Sequence, residues 1–136
     1  MKKRIIALTS VLLVLAIISV IFICATTGDK VMTKEKGVYI VNTTTLTQDV
    51  QGYNGPTPLK IYIKDDKIQK IEALPNDETP NFFERVKANM LNKWNGMTVK
   101  AAATANVDVV TGATYSSNAV KANVKAGINY YQKHKK

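Results

Sequence analysis

The stretch Asp108-Val109-Val110-Thr111-Gly112-Ala113-Thr114-Tyr115-Ser116-Ser117 concentrates the groups best suited to holding a ligand. It reads as a strand end, a turn of small residues and a helix start. Gly112 and Ala113 leave room for a ligand to approach the backbone closely. Thr111, Thr114, Ser116 and Ser117 set four hydroxyls around the first helical turn. Backbone N–H groups without helical partners and the positive end of the helix dipole converge there. Hydroxyls, bare amides and partial positive charge in one place suit an anionic oxygen group, a phosphate above all. The same residues also make an ordinary capped helix start, and on this pattern alone both readings stand. Asp108 likewise has two roles open to it: orienting a neighbouring hydroxyl, or accepting turn N–H bonds at a strand end.

The remaining chemical inventory is sparse. The chain has 136 residues with one cysteine, Cys24, and one histidine, His134. That excludes a disulfide framework and argues against thiolate, zinc or haem centres, so no metal site is expected. No histidine, cysteine or close carboxylate pair offers acid–base machinery for a substrate, so no catalytic residue is expected. The net charge is +9, from 19 Lys+Arg against 10 Asp+Glu. Much of the excess lies at the ends, in Lys2-Lys3-Arg4 and Lys133-His134-Lys135-Lys136. Such clusters suit a membrane surface or a solvated terminus, and nucleic acid is not an expected partner.

Behind the N-terminal cluster, Ile5 to Ala25 form an uncharged run of 21 residues. As a helix it is about 31 Å long, close to the hydrocarbon thickness of a bilayer. A cleaved signal peptide or a lipoprotein signal is the competing reading, but Ile23 is a poor residue beside either cut. The expectation is an uncleaved transmembrane anchor over residues 1–25, a polar linker over 26–37, and a domain over 38–136 on the extracytoplasmic side of the cell membrane.

The elements that must position the Thr111–Ser117 segment are legible from periodicity. Val38–Asn42 is a strand candidate, and the Thr-rich Thr43–Thr47 is read as continuing it. Gln51–Pro58, with two Gly and two Pro, is a loop. Leu59, Ile61 and Ile63 alternate with polar residues, Asp65-Asp66 makes a turn, and Ile68, Ile71 and Ala73 follow. This is a half-buried antiparallel hairpin with a bulge near Lys70, where the alternation breaks. Thr79-Pro80 opens a helix to about Asn95, with Phe83, Val86, Met90 and Trp94 on one face and Phe82 and Leu91 beside them as core. A strand is expected near Val107–Val110. Ser116 or Ser117 then caps a last helix, running to about Gln132, with Val120, Val124, Ile128 and Tyr131 on one face. The fold class is therefore α+β: a small antiparallel sheet packed by helices, preceded by an N-terminal transmembrane helix.

Asp108-x-x-Thr111-Gly112-Ala113-Thr114 resembles the flavinylation motif of FMN-binding domains, found in the flavin-carrying subunits of the Rnf and Nqr membrane redox complexes. Gly52-Tyr53-Asn54-Gly55-Pro56 resembles the Gly-Tyr-x-Gly-Pro loop that opens those domains. Asp65-Asp66-Lys67-Ile68 resembles their Asp-Gly-Lys-Ile hairpin turn, and Glu78-Thr79-Pro80 a segment that lies beside the flavin. Order and spacing agree from about Gly52 to Ala119. The chain departs from the pattern at Asn81-Phe82-Phe83, where the family usually has Gly-Leu-Gly.

The resemblance implies FMN as cofactor, joined through its phosphate to Thr114 by a dedicated flavin transferase. Asp108, Thr111, Gly112 and Ala113 complete the motif, and Ser116 and Ser117 match the hydroxyl pair that follows it. Tyr53 and Tyr115 become candidates to touch the flavin ring, the other reading being tyrosines packed on a loop with wet hydroxyls, and Gly55, Glu78 and Thr79 become cofactor-binding candidates. The implied function is a membrane-anchored, extracytoplasmic flavoprotein that passes electrons to redox partner proteins, a carrier more than an enzyme with its own substrate. A flavin-delivering subunit of an extracellular reductase and a flavin-free anchored binding module are the alternatives.

Overall fold

The computed structural model describes residues 30–136. The anchor expected over residues 1–25 lies outside them. Among the described residues no helix is long and apolar enough to cross a membrane.

Four strands form an antiparallel meander in the order β1-β2-β3-β4: β1 (Met32–Glu35), β2 (Val38–Asn42), β3 (Leu59–Lys64) and β4 (Lys67–Ala73). Strands β1 and β2 are joined by Lys36-Gly37, and β3 and β4 by Asp65-Asp66, all four residues with positive φ. Two-residue turns of this hand match the twist of the paired strands. The β1 segment corrects the expected linker, which ends in an edge strand; its alternation is too weak to read, and Val31 and Met32 rest on the core.

On the face of β3 that meets the helices, Leu59, Ile61 and Ile63 are fully buried. Strand β4 offers Ile68 and Ile71, three apart, which a regular strand would send to opposite faces. The pairing shifts between Tyr62↔Lys70 and Ile63↔Ile68, so Gln69 is the extra residue that returns both isoleucines to the core. Thr43–Thr47 does not extend β2. It turns, with Leu46 N–H donating to the Thr43 carbonyl, and buries Thr43 and Thr47.

Helix α1 (Pro80–Met90) continues as a 3-10 turn over Leu91–Trp94. It buries Phe83, Val86, Met90, Leu91 and Trp94, the stripe that the spacing foretells. Thr79 occupies the N-cap without a side-chain cap bond, and Pro80 stands at the first helical position. A short α2 (Val99–Thr104), which periodicity did not suggest, is capped by the Thr98 hydroxyl accepting from Ala101 N–H at 3.1 Å. The strand expected near Val107–Val110 does not form: the segment has no regular structure and joins no strand of the sheet. Helix α3 (Thr114–His134) starts earlier than expected, with Ala113 as N-cap. It packs on β2 and β3 and against α1 and α2, burying Val120, Val124, Ile128 and Tyr131.

The far end of α3 is tied to the β3–β4 turn. Tyr131 Oη donates to Asp66 Oδ1 at 2.7 Å, and Lys135 Nζ reaches both carboxylate oxygens at 2.7 and 2.9 Å. Lys135 foremost, then Tyr131, hold the Asp66 carboxyl below its usual value. Burial, then Asp66, pushes the Tyr131 hydroxyl up. Because the folded-state value is depressed, the Asp66 contribution is present above the unfolded value near pH ~4 and is lost as pH falls through the folded one. Asp66→Asn keeps a residue that tolerates the positive φ and removes the charge. Its stability deficit in urea is expected at neutral pH and should shrink as pH drops below about 4. A deficit constant across that range would mean that the Asp66 charge contributes nothing.

Candidate functional site

The segment leading into α3 is shaped by one turn. Ala113 N–H donates to the Val110 carbonyl at 2.9 Å, so Thr111 and Gly112 form the exposed tip. Gly112 has φ +81°, which a side chain at this third turn position would resist. The first helical bond runs from Ser117 N–H to the Ala113 carbonyl at 2.9 Å. The N–H groups of Thr114, Tyr115 and Ser116 precede it and have no partner within the helix. Ser117, fully buried, accepts from Val110 N–H at 3.0 Å through its Oγ and so fastens the incoming segment to the helix. Ser116 is buried as well, and its hydroxyl donates to the Glu78 carboxylate.

Glu78 is the hub of the site. Only 6% exposed, it sits just before α1 and also accepts from Asn54 N–H at 2.7 Å. Asn54 Nδ2 in turn donates to Thr79 Oγ1 at 3.0 Å. One carboxylate thus binds the Gly52–Gly55 loop to the start of α3. The loop closes on itself through Gly52 N–H to the Gly55 carbonyl at 2.7 Å. Gly52 is required by this contact, since a Cβ there would lie 2.7 Å from Glu78 Oε1 and 2.8 Å from its Cδ. Gly52→Ala should therefore push the carboxylate off Asn54 and Ser116. The expected cost is about 2 kcal/mol, read as a lower urea midpoint. An unchanged midpoint would show that the hub yields freely.

Between these walls lies an open cleft of about 400 Å³, within the usual range for small-molecule sites. Its floor is Gly112, Ala113 and Thr114, with Glu78, Thr79 and Ser116 at one side. Its rim is aromatic: Tyr53 and Tyr115 are both 71% exposed and Phe82 is 48% exposed. The two tyrosine rings stand 6.5 Å apart at 49°. Aromatic side chains left this open gain from a flat apolar partner.

Eight of the twelve residues singled out in the sequence line this cleft: Tyr53, Glu78, Thr79, Gly112, Ala113, Thr114, Tyr115 and Ser116. The other four do not line it: Thr111 and Asp108 are exposed, Ser117 is fully buried, and Gly55 is buried in its loop. Two residues went unnoticed. Phe82, read as core, is one position off the buried stripe and faces the cleft. Arg85, a turn further along α1, donates from Nη2 to the Thr111 carbonyl at 2.9 Å.

A flavin mononucleotide requires a flat apolar contact for its ring and donors for its phosphate. Three exposed aromatics suit a planar ring system, and the bare amides and exposed Thr114 hydroxyl at the α3 start suit its phosphate. The residues fit the group. The family model described as FMN-binding domain matches residues 52–129, more than half of the chain, from the Tyr53 loop through most of α3.

Proposed function

The chain belongs to the FMN-binding domain family and is a flavin-binding protein, and from this we propose that it is an electron carrier holding its FMN covalently on Thr114. The observation that carries the reading is the position of Thr114: the first residue of α3, exposed, and part of the floor of a cleft with an aromatic rim. FMN supplies one- and two-electron redox chemistry when bound. The protein contributes attachment, orientation and charge. The Thr114 hydroxyl offers the oxygen for a phosphoester: a flavin transferase would deliver FMN from a flavin dinucleotide, the Thr114 oxygen replacing the nucleotide that leaves and its proton passing to the transferase. The first-turn N–H groups and the α3 dipole favour the negative charge left there by roughly 0.3–1 kcal/mol. Tyr53, Tyr115 and Phe82 provide apolar faces for the ring. Glu78, engaged by Ser116 and Asn54, fixes the cleft wall rather than moving protons.

The exposed rim of Tyr53, Phe82 and Tyr115 would leave a bound ring within reach of redox partner proteins, in keeping with a carrier. The uncharged run Ile5–Ala25 supports anchoring in the cell membrane with the domain on the extracytoplasmic side, where a covalent bond keeps the flavin from being lost.

Co-expression of the full chain with a flavin transferase tests the attachment. The expected product is yellow, heavier by FMN less one water, and fluorescent in a denaturing gel. A protein that never gains this mass would end the covalent reading and leave reversible FMN binding. N-terminal sequencing of membrane-fraction protein tests the anchor, and a mature start near Thr26 would overturn it.

A further inference from the structure

We propose that Arg85 is the phosphate-recognition residue of this site, the cation that makes the cleft prefer a flavin carrying a phosphate over one without. The proposal rests on the FMN reading of the cleft but not on a covalent bond to Thr114.

Arg85 and Phe82 are three residues apart on α1 and so share a helix face. Phe82 lines the cleft, and Arg85 lies over the turn that leads to Thr114. Its Nη1 would be 3.8 Å from a Cβ on Gly112, so the guanidinium flanks the bare backbone of the motif. The bond from Nη2 to the Thr111 carbonyl uses one of five donors and none of the charge.

Three ion pairs occur among the described residues, Lys70–Glu72, Lys87–Glu84 and Lys135–Asp66. Arg85 belongs to none of them, although Glu84 is its neighbour. The one charged side chain that lines the cleft is the Glu78 carboxylate, and the motif's own charged residue is Asp108, so neither attracts an anion. A phosphate entering here would meet the α3 amides, which are neutral, and the Arg85 cation. A guanidinium that is oriented by a carbonyl, exposed and free of a carboxylate is equipped to take a phosphate oxygen.

The test uses full-length protein purified from cells without a flavin transferase, titrated with FMN and separately with riboflavin by fluorescence quenching. The wild type is expected to bind FMN more tightly than riboflavin. Arg85→Ala should weaken FMN on the order of tenfold while leaving riboflavin binding unchanged. Arg85→Lys should retain part of the preference, and the wild-type preference should shrink as salt rises. An FMN preference that survives Arg85→Ala would overturn the proposal. So would an equal loss of both ligands, the signature of a cleft that has merely lost its shape. Binding of neither flavin by the wild type would overturn this proposal together with the FMN reading. An Arg85-dependent FMN preference in a protein that never gains covalent flavin would uphold it while ending the Thr114 linkage.

Discussion

Thr114→Ala, co-expressed with a flavin transferase, is expected to carry no flavin through a denaturing gel while folding as the wild type does. The expectation follows from where the hydroxyls lie. Thr114 is exposed at the first position of α3 and forms part of the cleft floor. Ala113, not Thr114, occupies the cap, so truncation should cost less than the roughly 1 kcal/mol of a lost capping hydroxyl. The neighbouring hydroxyls are poorly placed to substitute. Ser116 is buried and donates to Glu78, and Ser117 is fully buried against Val110 N–H. Each would have to leave a structural bond before it could be modified. Thr111 is exposed, but its carbonyl is gripped by Arg85 and it stands outside the cleft.

Thr114→Ser keeps the oxygen and should retain part of the attachment. Thr111→Ala should lower the yield without abolishing it. Intact mass and in-gel fluorescence read all three variants. Flavin persisting on Thr114→Ala through denaturation would reject the acceptor assignment and leave Thr111 as the next candidate.

What could be read from the sequence were the contacts that repeat along one element. Leu59, Ile61 and Ile63 alternate, and they form the buried face of β3. Phe83, Val86 and Met90 recur at helical spacing, and they are the buried face of α1. The break near Lys70 was visible because Ile68 and Ile71 violate period two, which a bulge repairs. The Thr111–Ser117 motif was visible because its chemistry is local.

The contacts that join distant segments left no periodic trace. Glu78 meets Asn54 and Ser116, which lie 24 and 38 residues away in the chain. The Thr-rich Thr43–Thr47 has the composition of a strand, yet a turn wins there because its hydroxyls find a partner on α3. Phe82 is one position off an apolar stripe and its composition alone suggests core, although a residue about 100° around a helix from the buried centre faces elsewhere. Nothing in the sequence distinguishes Arg85 from the other charged residues of α1. Only the approach of the Thr111 carbonyl separates it from the others.

Asn123 carries the largest expected stability effect. It is fully buried in the middle of α3. Its Oδ1 lies 2.5 Å from Thr43 Oγ1 and 2.5 Å from Thr47 Oγ1. Its Nδ2 donates to the Ala119 carbonyl at 2.9 Å and approaches Thr57 Oγ1 at 3.5 Å. Thr43 Oγ1 also accepts from Leu59 N–H at 2.9 Å. One amide therefore serves three buried threonines and links α3 to the turn after β2 and to the loop before β3. Asn123→Leu conserves volume and removes every polar atom. The Thr47 hydroxyl can fall back on the Thr43 carbonyl, 2.9 Å away. Thr43 then loses its acceptor and Thr57 its donor, and each stranded group costs about 1–3 kcal/mol. The sum is about 3 kcal/mol, a fall in melting temperature of roughly 12–24 °C for a domain of this size. Urea unfolding should show a lower midpoint at unchanged slope. Since Thr57 lies in the loop that carries Tyr53, the variant should also bind FMN more weakly even where it is folded. A loss below about 1 kcal/mol, at the level of an ordinary surface change, would mean that the threonines re-pair among themselves and that Asn123 does not hold the Tyr53 loop against α3.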